Sequence, residues 1–100
     1  MVNSVMLVGK LANDIELKEK QTKTNITIKV DRNYKNAEGG YDTDLIDIEL
    51  VGGLAKNTAE YCKKGDIIGV RGRVETRIKG GKNKIIIVAE KLTFLSSNKR

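Results

Sequence analysis

Apolar and polar residues alternate with period two along most of this chain. That period sends successive side chains to opposite faces of a strand. The clearest stretch is residues 66–78 (DIIGVRGRVETRI), where Val70, Gly72, Val74, Thr76 and Ile78 alternate with Arg71, Arg73, Glu75 and Arg77. It predicts a strand with a small apolar face to be covered and a basic face left open. KGGKN at residues 79–83 reads as a turn, and residues 84–89 (KIIIVA) read as a partner strand, so the pair forms a hairpin with a longer loop.

The same pattern recurs upstream. Residues 3–12 (NSVMLVGKLA) predict a first strand in which Val5, Leu7 and Gly9 alternate with Met6, Val8 and Lys10. Both sets are largely apolar, which calls for cover on both sides, from the core or from another subunit. Asn13-Asp14 supplies a turn, residues 15–18 (IELK) a short extended piece, and residues 20–23 a polar connection. Residues 24–34 (TNITIKVDRNY) form a second strand, with Ile26, Ile28 and Val30 on one face and Asn25, Thr27, Lys29 and Asp31 on the other. Residues 35–41 (KNAEGGY) make a hairpin tip. Residues 43–52 (TDLIDIELVG) form a third strand, burying Ile46, Ile48 and Leu50 and turning Leu45, Asp47, Glu49 and Val51 the other way.

Period two gives way once, at residues 53–64 (GLAKNTAEYCKK), where Leu54, Ala55, Thr58, Ala59 and Cys62 fall on one helical stripe. Lys63 and Lys64 then stand in the last turn, where cations suit the carbonyl end of the dipole, and Gly65 marks the stop. Residues 90–95 (EKLTFL) extend the last strand, with Phe94 in the core. Three strands, a helix and two strands describe an all-β protein, the five-stranded Greek-key barrel called the OB-fold, with one α-helix between strands 3 and 4. One domain is expected over residues 1–96, followed by a short tail at 97–100.

Composition narrows the chemistry. One hundred residues, 39% hydrophobic and 32% charged, suit a single globular domain rather than a disordered chain. No apolar run approaches the roughly 20 residues of a membrane span, and the first residues carry no signal-peptide pattern. The lone Cys62 forms no internal disulfide, and with no histidine a His/Cys metal site is excluded. Cys62, on the helix's apolar stripe and without a base partner, reads as core, and the compartment as reducing and cytoplasmic. Asp47 and Glu49 share a strand face, an arrangement that a general acid/base pair also uses; a solvated or salt-bridged outer face is the reading preferred. No nucleophile–base pair, metal cluster or phosphate-binding glycine motif is present, so no enzyme activity, cofactor or small-molecule substrate is expected. The net charge of +6 suits a polyanion and equally a solvated basic surface.

Four stretches bear a resemblance. Residues 3–17 (NSVMLVGKLANDIEL), 25–36 (NITIKVDRNYKN), 44–77 (DLIDIELVGGLAKNTAEYCKKGDIIGVRGRVETR) and 88–95 (VAEKLTFL) resemble, in order, successive parts of bacterial single-stranded DNA-binding proteins. The resemblance implies an OB barrel that coats single-stranded DNA in replication, recombination and repair, without sequence preference and without catalysis. It also implies homo-oligomers, as tetramers or dimers, working in the cytoplasm at the nucleoid.

Position by position, the resemblance makes Tyr34 a stacking aromatic and Arg77, Lys10 and Thr27 contacts to the strand. The face pattern adds Arg71 and Arg73 as phosphate contacts, the alternative being salt bridges to Asp47 or Glu49. Arg32, Lys35 and Lys79 flank the two hairpins. The chain departs from the family in having no tryptophan. Leu45, Val51 and Lys79 stand where rings are usual, Gly53 where a lysine is common, and Asp47 and Glu49 bring negative charge to the same face. Tyr61 and Phe94 are not expected as platforms, and no linker or acidic C-terminal tip follows the barrel, as in a truncated chain or a short variant. Two other readings stand beside this one: a protein-interaction or primosome-type OB domain with weak nucleic-acid affinity, and an RNA-binding OB domain.

Overall fold

The computed structural model describes residues 1–16 and 22–97. Five strands and one helix follow in the predicted order: β1 (Val5–Leu11), β2 (Lys23–Lys35), β3 (Tyr41–Val51), α1 (Gly52–Tyr61), β4 (Ile67–Lys79) and β5 (Lys82–Ser96). The strands close into a barrel in the order β1-β2-β3-β5-β4, antiparallel except for the β3–β5 contact. Closure rests on short junctions. β1 meets β2 only at Lys10 and Leu11, and β3 meets β5 at Ile48 and Glu49.

The inward side chains build one core. Leu11, Ile28, Ile48, Leu50, Ile68 and Val70 are fully buried, with Ala55 and Cys62 from the helix region joining them. Each fully buried aliphatic side chain contributes about 1.5–3 kcal/mol, so the alternation read from the sequence is also what stabilises the barrel. Helix α1 packs on β2, β3 and β5, burying Ala55 and Thr58.

Several expectations need correction. The helix ends at Tyr61, not Lys64, because the next amides bond elsewhere: Lys63 N–H donates to Asp66 Oδ2 and Lys64 N–H to Asp14 Oδ1, each at 2.8 Å. No lysine therefore sits in its last turn. The β4–β5 loop is a tight turn at Gly80-Gly81, not a longer one. Both residues have positive φ, 58° and 77°, as the turn favoured by hairpin twist requires. Phe94 is 48% exposed rather than in the core, near the end of β5. The apolar face of β4 is buried at Ile68, Val70 and Gly72, but Thr76 and Ile78 are exposed where the hairpin runs past the core. Met6 and Val8 are exposed, so the chain itself covers only one side of β1. Of the extended piece at 15–18, Ile15 and Glu16 lie outside regular structure, and the rest falls outside the described residues, as do parts of the 20–23 connection and the tail.

Candidate nucleic-acid interface

The proposed contacts fall into three groups. On the β2–β3 hairpin, Arg32 grips Asp44 with Nη2–Oδ1 at 2.9 Å and Nε–Oδ2 at 3.2 Å. The hydrogen bond from Arg32 holds the Asp44 carboxyl below its usual range. The Thr43 hydroxyl donates to Asp31 at 2.7 Å, and Asn36 Oδ1 accepts the Glu38 and Gly40 amides at the tip. These bonds brace the hairpin on which Tyr34 stands 59% exposed beside Arg32 and Lys35. β2 carries extra residues between Asp31 and Lys35, a bulge that re-aims this end of the strand.

Across the outward face of β4, β5, β3 and β2 runs a chain of alternating charges. Glu90 meets Arg73 at 3.3 Å, Arg73 meets Glu75 at 2.7 Å, and Glu75 meets Arg77 at 3.1 Å. Arg77 then takes Glu49 at 2.7 Å, and Lys23 closes on Glu49 at 2.9 Å. The face expected to be open and basic is thus largely self-neutralised. Arg73 is in a salt bridge, but with Glu75 and Glu90 instead of Asp47 or Glu49. Asp47 instead accepts the Thr27 hydroxyl at 2.6 Å. Hydrogen bonding to Arg77, supported by Lys23, pulls the Glu49 carboxyl down to about 2 against the cost of burial. Glu75, bonded first by Arg77 and then by Arg73, is lowered too.

Arg71, Lys10 and Lys79 make no ion pair among the described residues. Arg71 stays outside the chain of ion pairs: it lines a cleft with Met6, Val8, Lys91 and Leu95, whereas Glu90, an extra residue in β5 opposite the Arg71–Gly72 step, reaches Arg73. Lys10, one residue before the end of β1, lies opposite Lys29, and Lys79 faces Lys82 at the β4–β5 turn. The barrel therefore brings Lys10 and Thr27 onto one outward face with β3, groups Arg32, Tyr34 and Lys35 on one hairpin, and leaves Arg71 and Lys79 apart. Sequence reasoning missed Glu75 and Glu90 as arginine partners. Glu75 was legible, since it stands two residues from both Arg73 and Arg77 on one strand face; Glu90 was not, since a bulge delivers it. Burial pushes the Cys62 thiol up, in keeping with a core role. Among the described residues no cluster of acidic or cysteine side chains has metal-binding geometry, and no helix is long and apolar enough to cross a membrane.

The profile of the Single-strand binding protein family matches residues 2–95. The chain belongs to this family. Single-stranded DNA-binding protein B of Bacillus subtilis is 41% identical over 80 residues, an alignment covering 77% of this chain and 71% of the relative. A Streptococcus mutans single-stranded DNA-binding protein is 39% identical over 80 residues, and there the chain spans about half, 49%, of the relative's length. Single-stranded DNA-binding protein 1 of Clostridium acetobutylicum is 32% identical over 107 residues, with 98% of this chain and 97% of the relative aligned. The crystal structure of a small single-stranded DNA-binding protein from Streptomyces coelicolor superposes with a TM-score of 0.64 at 19% identity, over 94% and 95% of the two chains. It shares the barrel fold with this family member.

Proposed function

We propose that this family member binds single-stranded DNA without reading its sequence and without catalysis, in replication, recombination or repair at the nucleoid in the cytoplasm. The observation that carries the reading is Tyr34: an exposed ring on a hairpin braced by the Arg32–Asp44 fork, flanked by cations. A stacked base contributes about 1–3 kcal/mol, and every base offers a π-face, so stacking tolerates any sequence. Lys10, Lys35 and Lys79 supply phosphate contacts, whereas Arg71, beside Met6, Val8 and Leu95, lies at the apolar surface. Arg73 and Arg77 join them only by sharing their guanidinium groups with Glu75, Glu90 and Glu49, which makes them weaker partners for phosphate than the face pattern implies. Thr27, held by Asp47, orients that face rather than neutralising charge.

The reading includes self-assembly. Met6, Val8 and Leu95 form an exposed apolar surface, and the Val5–Gly9 part of β1 pairs with β4 on one side only. A second copy of the chain would pair that open edge and cover the surface.

Titration of fluorescent oligo-dT beside an equal-length duplex, at two salt concentrations, tests the function. Salt-sensitive binding to the single strand alone is expected, and Tyr34→Ala is expected to weaken it by about 1–3 kcal/mol with circular dichroism unchanged. Binding to neither would make the barrel a protein scaffold. An unaltered affinity in the variant would remove Tyr34 from the site.

A further inference from the structure

The family reading leaves two outward residues without a role, Lys29 and Tyr41. Lys10 on β1, Lys29 on β2 and Leu45 on β3 lie in register across one outward row of the sheet. Lys10 and Lys29 are direct cross-strand partners, and like charges so placed destabilise a sheet unless something neutralises them. Among the described residues neither makes an ion pair, whereas Lys23, Arg32, Arg73 and Arg77 all do. Asp31, the acid lining the same notch, is engaged by the Thr43 hydroxyl instead. The lysines are also held together. Only two register pairs join β1 to β2, and Gly9 packs so closely on the Lys29 carbonyl that a Cβ there would collide with it.

Tyr41 lies further along the same face, four residues before Leu45 on β3. Strand alternation along β3 puts it on the face of Thr43 and Leu45, opposite Lys35, and it is 55% exposed. Leu45 gives this face an exposed apolar surface, and Tyr41 adds a ring beyond it. The hydrogen bond from the Asn36 amide to the Gly40 carbonyl, 2.7 Å, holds the adjoining turn.

We propose that Lys10 and Lys29 together seat one backbone phosphate at the β1–β2 junction, and that Tyr41 stacks a base further along the same face. The proposal rests on the single-strand reading above and names residues for a second stretch of its path. Backbone pairing holds the two lysines opposite each other before the strand arrives, and an anion between them removes their repulsion.

The test titrates oligo-dT over a salt series with the intact protein and with Lys29→Gln, Lys29→Arg, Tyr41→Ala and Tyr41→Phe. Lys56→Gln, on the helix surface, serves as control. All these side chains are exposed, and thermal melts by circular dichroism check the fold. Lys29→Gln is expected to reduce the slope of log affinity against log salt by about 0.7, with Lys29→Arg restoring it. Tyr41→Ala is expected to weaken binding about 5- to 150-fold at an unchanged slope, with Tyr41→Phe near the unsubstituted protein. If the unsubstituted protein binds and Lys29→Gln and Tyr41→Ala bind just as it does, the proposal is overturned while the single-strand reading stands. If the unsubstituted protein does not bind oligo-dT, the reading itself fails and takes the proposal with it.

Discussion

Glu49 is only 6% exposed, and its two carboxylate oxygens each accept from an Arg77 nitrogen, at 2.8 and 2.7 Å. Lys23 adds a third contact at 2.9 Å. A carboxylate this buried is tolerated only because it is paired and hydrogen-bonded. Its folded pKa, about 2, lies below the ordinary carboxylate value near 4.3, so the group binds fewer protons folded than unfolded. Its contribution to stability is therefore present above about pH 4.5 and is lost as pH falls toward 2. Urea denaturation across pH 2–7 is expected to show that decline. Glu49→Gln is expected to lose about 1–3 kcal/mol at pH 7 and to show a shallower decline below pH 5. A variant with an unchanged acid profile would mean that Glu49 is not the titrating group. The sequence shows Glu49 on the outward face and allows a salt bridge there. Its burial is illegible from the chain alone, because Arg77 reaches it from β4, a strand brought near β3 only when the β3–β5 contact closes the barrel.

At the scale of elements, β1 is longer in effect than its backbone ladder. The ladder begins at Val5, but the Asn3 side chain continues it. Asn3 Oδ1 accepts the Val74 amide at 2.8 Å, and Asn3 Nδ2 donates to the Val74 carbonyl at 2.7 Å. The amide group of asparagine carries a donor and an acceptor side by side, as a backbone peptide does. Asn3→Ala is expected to cost about 1 kcal/mol and to lower the melting temperature by about 4–8 °C, while Asn3→Asp, lacking the donor, recovers only part. Calorimetry checks this, and an unchanged melting point would show that water replaces both bonds without loss. Such contacts explain which boundaries the alternation predicts well and which it does not. Periodicity locates all five strands and the helix stripe through Ala55, Thr58 and Cys62, since each reflects burial against a common core. The helix end was set by the carboxylates of Asp14 and Asp66, and the hairpin turn by two glycines at positive φ. A bulge in β5 delivers Glu90 to Arg73. None of these follows from period two.

Taken as a whole molecule, the barrel carries two kinds of surface, which meet at Val8. One carries the braced β2–β3 hairpin and the Lys10–Lys29 row; the other is the apolar patch of Met6, Val8 and Leu95 beside the half-paired β1. An isolated open strand edge with apolar neighbours invites pairing with another chain. When the partner is a copy of the same strand in antiparallel orientation, the contact is isologous and closes on itself as a dimer instead of growing into a fibre. That geometry leaves the hairpins of both copies free for DNA. Sedimentation is expected to give a multiple of the 11.1 kDa chain mass, and Met6→Glu with Leu95→Glu is expected to give the single chain. The added negative charges of the two copies would crowd together on the covered patch, and Met6 and Leu95 are both exposed in one chain, so the fold itself is retained by circular dichroism. Binding to a short oligo-dT should then change little, while binding to a longer strand weakens as the linked second site is lost. A parent protein that sediments as a single chain would assign the apolar patch to some other partner.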